Sequence, residues 1–253
     1  MFKVISVYMH KGGVGKTTLT ANLAFEMTKY GKVLVIDADQ QGNLTFLFNE
    51  DFDEDKSLLQ VLLEKKSLEE AIYLVREKTE YNNGLYLLGT KKNDDKLKSY
   101  IDGTFRDEPY SVKMVLAAAK EAGFNYVFVD LPPTFGLYEK MFIAQANEII
   151  PIVEPEDFAI ENLSKFNSSL KKMRISLEGK YNDPKYLVLN KENKNKKVHQ
   201  YWIETMKTSP YEVYELIDSK AVSSAISMKQ TVQEYDAKNK ICQTISLLAE
   251  KIK

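Results

Sequence analysis

Lys11-Gly12-Gly13-Val14-Gly15-Lys16-Thr17-Thr18 decides the fold. It follows an alternating stretch at Lys3–Tyr8 that predicts a strand, and it opens the segment Thr18–Lys29, where Leu19, Leu23, Ala24 and Met27 recur at helical spacing. Strand, glycine-rich loop and helix in that order make a phosphate cradle: the turn Gly12-Gly13-Val14-Gly15 directs backbone N–H groups inward at a helix N-terminus, where the helix dipole also favours an anion. Lys16 is placed to reach β- and γ-phosphates, and the Thr17 hydroxyl to ligate the Mg²⁺ that bridges them. Lys11 is an additional cation ahead of the glycines. It cannot easily fold back onto its own nucleotide, which points to a charge presented to a neighbouring subunit.

The remaining pattern extends this unit into a sheet. Lys32–Ala38, Gly84–Leu88 and Tyr126–Asp130 are short apolar runs of the kind buried on both faces, and further strands are predicted at Glu148–Val153, Lys185–Asn190 and Glu212–Ile217. Helices are predicted between and after them at Leu58–Lys65, Leu68–Lys78, Val112–Ala122, Ile160–Met173, Val198–Thr208 and Ile241–Lys251. The expected fold is α/β, a single P-loop NTPase domain over residues 1–253 with a mainly parallel, doubly wound sheet flanked by helices. No Pro/Gly/Ser-rich linker divides the chain.

Two carboxylate landmarks then fall on the rim that carries the loop, because ligands of open α/β sheets bind at the carboxyl ends of strands. Asp37-Ala38-Asp39-Gln40-Gln41-Gly42-Asn43 closes one strand. Asp130 closes another, ahead of Leu131-Pro132-Pro133, and suits a metal-supporting role. Asn190 follows a predicted strand on the same rim and is read either as a contact to the adenine edge or as a turn residue.

Composition bounds the function. With 44% apolar and 28% charged residues the chain reads as globular, and the single Cys242 excludes an intrachain disulfide. The chain enters a strand directly, with no secretory leader, so a cytoplasmic address is expected. Net charge is −1, but Lys165–Lys207 holds eleven Lys/Arg against four Asp/Glu, an excess of +7, which leaves −8 for the rest. Cys242 is expected in a core. His10 and His199, without a Cys/His/carboxylate cluster, are read as packed or solvated. Tyr201 and Trp202 are read as core rather than as base-stacking residues.

Together, Lys11–Thr18, Asp37–Asn43, Val127–Pro133 and Gln233-Glu234-Tyr235-Asp236 resemble the deviant Walker A ATPases of the ParA/MinD group, most closely the ParA/Soj partition branch. The likeness covers nearly the whole chain. It departs from the usual pattern at Gln40, where a proline is common, and in Ser219–Thr231, which has no arginine. The resemblance implies an ATP- and Mg²⁺-dependent ATPase whose ATP state is a sandwich homodimer. Lys11 would cross to the partner's nucleotide, Lys16, Thr17 and Thr18 would hold phosphates and Mg²⁺, Asp37 would orient the attacking water, and Asp130 would support the metal. It further implies non-specific binding to double-stranded DNA through the Lys165–Lys207 region, release by a ParB-like centromere-binding protein, and a nucleoid-associated location. A MinD-like membrane-cycling ATPase is the alternative, together with an ATP-dependent regulator on the same fold. Ile241, Ile245, Leu248 and Ile252 have membrane-helix spacing but are expected to belong to the domain, since the chain ends there, so a membrane partner is not expected.

Overall fold

The structure is a computed structural model that describes residues 1–80, 82–156, 158–177, 183–193 and 196–253. The first half runs β1 (Lys3–Tyr8), α1 (Lys16–Met27), β2 (Val33–Asp37), α2 (Asn43–Phe48), α3 (Leu58–Leu62), α4 (Leu68–Ala71), β3 (Tyr73–Arg76), β4 (Leu85–Leu88), α5 (Asp95–Asp102) and α6 (Ser111–Glu121). The second half runs β5 (Tyr126–Asp130), α7 (Leu137–Gln145), β6 (Glu148–Val153), α8 (Ala159–Leu177), β7 (Tyr186–Glu192), α9 (Lys197–Lys207), β8 (Glu212–Ile217), α10 (Lys220–Ser227), α11 (Val232–Tyr235) and α12 (Lys240–Ile252).

These strands form one eight-stranded sheet in the order β3-β4-β2-β5-β1-β6-β7-β8. Strands β2 and β4 lie on one side of β1 and β6, β7 and β8 on the other, with β5 inserted between β1 and β2, so crossovers run in both directions and clothe both faces with helices. α1 packs against α12, while α6, α7 and α8 contact one another in series. All pairings are parallel except β3 with β4. Strand β2 shows why the core holds: Val33, Leu34, Val35 and Ile36 are each 0% exposed, and burying such a side chain contributes about 1.5–3 kcal/mol. A charge at any of these positions would lie between two helical layers with no partner.

The sequence expectation fails at Leu68–Lys78. Helix α4 occupies only Leu68–Ala71, closed at its start by a capping box between Ser67 and Glu70, and Ile72 is already extended with φ −81° and ψ 150°. The chain then becomes β3, the antiparallel edge strand on β4. Leu68, Ala71, Ile72 and Val75 satisfy helical spacing, but Tyr73, Val75 and Ile72 are aromatic or β-branched, and an available sheet edge wins over a short helix.

Register places the rim. Val7 is opposite Asp130 and Asp37 is opposite Asp130, so the end of β1, which runs into the glycine loop, and two strand-end carboxylates converge at one point.

Candidate nucleotide site

Helix α1 begins without a side-chain cap. Its N-cap is Gly15, with φ 97°, and among the described residues no side chain accepts from the first-turn N–H groups. Those unsatisfied donors are what an anion would take. Gly15 is required twice: its backbone lies in the left-handed region, and a Cβ there would stand 2.3 Å from Asn190 Nδ2. Asn190 in turn donates to Val14 O at 2.8 Å, which ties the end of β7 to the loop. Lys16 Nζ donates to Lys11 O at 2.9 Å and so closes the loop on itself. Burial lowers the Lys16 pKa, against the opposing pull of Asp130 and Asp39.

Behind the loop, Thr17 Oγ1 donates to Asp130 Oδ2 at 2.6 Å. The other oxygen, Asp130 Oδ1, is buried and has no hydrogen-bond partner among the described residues. Burial pushes the Asp130 pKa up to about 7, with the negative charge of Asp39 adding to it. An orphaned carboxylate oxygen beside a threonine hydroxyl, beneath an anion cradle, fits Mg²⁺. Thr17 and Asp130 would hold the ion directly or through water. Among the described residues no group of three or more His, Cys, Asp or Glu could ligate a metal, so phosphate oxygens and water would complete its shell.

Asp37, expected to orient the attacking water, is enclosed. It is 0% exposed, and its Oδ2 accepts from both Thr45 N at 2.7 Å and Thr45 Oγ1 at 2.8 Å. Thr45 Oγ1 also receives Thr90 N at 2.8 Å, and Thr90 Oγ1 donates to Asp37 O at 2.6 Å. This network ties the β2–α2 turn together and encloses the carboxylate. Burial raises its pKa, and Asp130 raises it further. Asp39, two residues on, lines the open cleft with Lys16, Thr17 and Gln41. Its Oδ1 accepts Gln41 N at 2.9 Å, and burial raises its pKa too.

Two cavities flank the loop. One, of about 500 Å³, is bounded by Lys16, Thr17, Asp39, Pro133 and, on the far wall, Phe46 and Lys229. The other, of about 570 Å³, reaches from Gly15 and Thr18 past Asn190 to Ile217, Asp218 and Ser219 beyond β8. Asn190 thus lies between the loop and this second cavity. Lys11 points outward, its ammonium paired with Glu156 and its side chain 44% exposed. Lys191, a residue the sequence reading passed over, donates to Gly13 O at 3.0 Å and pairs with Glu154. The strand-end rule that found Asp130 also covers Asp218 and Ser219. Lys229 carries no such sequence signal.

Among the remaining expectations, His10 packs amid Tyr8, Phe135 and Phe166, with ring centroids 4.8–5.8 Å away, and burial lowers its pKa. His199 Nδ1 accepts Asn193 N at 3.2 Å. Cys242 is buried. Tyr201 contradicts its core assignment, being 64% exposed, while Ile203 and Met206 supply the buried face of α9. In the basic stretch Lys165 pairs with Glu161, Arg174 with Asp183, Lys185 with Glu148, Lys191 with Glu154, and Lys207 with Glu204 and Glu215. Lys180 and Lys194 lie outside the described residues. No described helix is long and apolar enough to cross a membrane. In α12, Ile241, Ile245, Leu248 and Ile252 are buried in the domain, while Leu247 is exposed.

Residues 2–183 match the family model described as AAA domain. An uncharacterised protein of Borreliella burgdorferi is 25% identical over 98% of both chains. The sporulation initiation inhibitor protein Soj of Bacillus subtilis is 29% identical over 68% of this chain and 66% of its own. A crystal structure of a plasmid partition protein from Borrelia burgdorferi superposes with a TM-score of 0.75 at 22% identity, over 100% of this chain and 99% of that one.

Proposed function

The chain belongs to the AAA domain family, on its ParA/Soj side, and on that footing we propose that it is an ATP-dependent partition ATPase that cycles on DNA. The observation that carries the reading is the cluster at the start of α1: uncapped N–H groups, the Lys16 ammonium, and the Thr17–Asp130 pair with its free oxygen. Bound at this site, Mg²⁺ would neutralise charge on the β- and γ-phosphates. The protein's part is positioning and charge stabilisation, with no covalent intermediate required. Gly12, Gly13, Val14, Gly15, Lys16, Thr17 and Thr18 hold the phosphates, and Asn190 borders the base. Asp39, exposed to the cleft where Asp37 is not, orients the attacking water.

Lys11 acts in trans. Its ammonium already faces outward and is held by an exposed carboxylate that a partner's phosphates can displace. ATP therefore supports a sandwich homodimer, and hydrolysis is slow until that dimer forms. The dimer presents the unpaired cations of the basic stretch twice on one face, which favours non-specific contact with double-stranded DNA and a nucleoid-associated, cytoplasmic location. A ParB-like centromere-binding protein would stimulate hydrolysis and release. A MinD-like cycle on membranes loses its best sequence support, because the apolar face of α12 is spent on α1 and β8.

Cosedimentation with plasmid DNA and, separately, with anionic liposomes, each with and without ATP and Mg²⁺, tests the reading. ATP-dependent recovery with DNA alone is the expected outcome. Recovery with liposomes alone would replace it with the membrane cycle.

A further inference from the structure

Across the phosphate cleft from the glycine loop stands a lysine in an unfavourable backbone conformation. Lys229 follows α10 with φ +56°, in the left-handed region that commonly ends a helix and that glycine occupies without strain. Its backbone is clamped there. Arg76, from the far end of β3, donates through Nη2 to Lys229 O at 2.9 Å, pairs with Glu234, and lies 5.3 Å from the centre of the Phe48 ring. Glu234 is fixed in turn by Thr231 N at 2.7 Å and Thr231 Oγ1 at 3.0 Å. A strained residue held by this much surrounding structure calls for a function.

The clamp turns the ammonium over the cleft wall. Lys229 Nζ donates to Phe46 O at 3.0 Å, lies 3.0 Å from the centre of the Phe46 ring, and pairs with Glu50 at 2.9 Å. Phe46 and Lys229 border the same cavity as Lys16, Thr17 and Asp39. Glu50 is more than half exposed, so its hold on the lysine is screened and weak. A polyphosphate entering the cleft offers a stronger, multiply charged acceptor in the cavity that Lys229 itself borders.

We propose that Lys229 is a second cation of the phosphate cleft, one that exchanges Glu50 for the terminal phosphate of a bound nucleoside triphosphate and so makes the site prefer triphosphate over diphosphate. The proposal rests on the nucleotide reading above and adds to it a specificity-determining residue outside the loop. Because Glu50 and Phe46 flank the end of α2, the exchange also unfastens α2 from the α10–α11 turn. The bound state is thereby signalled to the surface beside the cleft.

Calorimetric titration of the full chain with a non-hydrolysable ATP analogue and with ADP, both with Mg²⁺, tests it. Lys229→Met keeps the stem against Phe46 and removes the charge. It should cut the triphosphate-to-diphosphate preference about tenfold, leaving ADP affinity unchanged. Lys229→Gly should lose the same preference while raising the melting temperature, since the backbone strain is relieved, and a merely structural lysine would not separate those readouts. Glu50→Gln, which frees the ammonium, should shift the preference the other way. An unchanged ratio in both Lys229 variants, or an equal loss for both nucleotides, overturns the proposal alone. A parent protein that binds neither nucleotide overturns the functional reading with it.

Discussion

The rim around α1 and the basic stretch from α8 to α9 are both rich in charge, yet they hold it in opposite ways. At the rim, Lys16, Asp37 and Asp130 are buried, hydrogen-bonded and shifted in pKa by their surroundings. Each charge there is fixed in position, and removing one leaves another uncompensated. In the basic stretch the cations are exposed and most have a carboxylate beside them, while among the described residues Lys171, Lys172, Lys196 and Lys197 show no ion pair. A local excess of +7 counted along the chain is therefore not +7 of available field. Burial turns a charge into a constraint, whereas exposure leaves it a weak, screened and divisible contribution.

The contrast predicts that single substitutions at the rim have large effects and that the basic stretch yields only to several at once. Lys16→Ala should weaken nucleotide binding by on the order of a hundredfold or more, read by titration with a fluorescent nucleotide. Near-parental affinity would place the phosphates elsewhere. Next, Asp39→Asn should slow hydrolysis by about a hundredfold, as loss of a positioned group does, and leave an ATP dimer visible by light scattering. Asp37→Ala should instead act on stability, costing about 1–3 kcal/mol because Thr45 N loses its acceptor. The reverse assignment of these two effects would return the water to Asp37.

A smaller effect tests burial itself. With its pKa raised from 3.8 to about 7, Asp130 holds its proton more tightly in the folded chain than in the unfolded one. The sign follows: ionisation disfavours the nucleotide-free fold as pH climbs through that window. Asp130→Asn should thus raise the melting temperature at about pH 8, and the gain should shrink towards about pH 5. A gain that is independent of pH would show that the carboxylate is not held in this way. The mildest perturbation is on the other side. Lys171→Glu with Lys172→Glu should lower DNA affinity about tenfold and flatten its salt dependence, whereas reversing the paired Lys165 and Lys207 should do less, as band-shift titrations at several salt concentrations would show.

What the sequence revealed follows the same division. The loop, the strands that end in Asp37 and Asp130, and the buried runs of β2 and β5 are local patterns under strong constraint, and each is found where the periodicity puts it. Strand β3 was not legible, because its apolar spacing fits a helix equally well and only the distant edge of β4 selects between them. The different surroundings of Asp37 and Asp39 were not legible either. Both end a strand on the rim, and the difference lies in Thr45, whose hydroxyl and amide enclose one and not the other. Lys229 depends on Arg76, about 150 residues earlier, and no pattern along the chain joins them.

Asn22 gives the nucleotide site a history as well as a shape. Its side chain donates to Thr18 O at 2.7 Å and accepts Val232 N at 2.7 Å, across 210 positions, and Gln233 Nε2 reaches Asn22 O at 3.2 Å. The helix that follows the loop is braced by α11 and α12, from the other end of the described fold. Contacts of such long range form late and slowly. A nucleotide held at the start of α1 would therefore report that the segment bracing that helix, about 210 positions away, has docked.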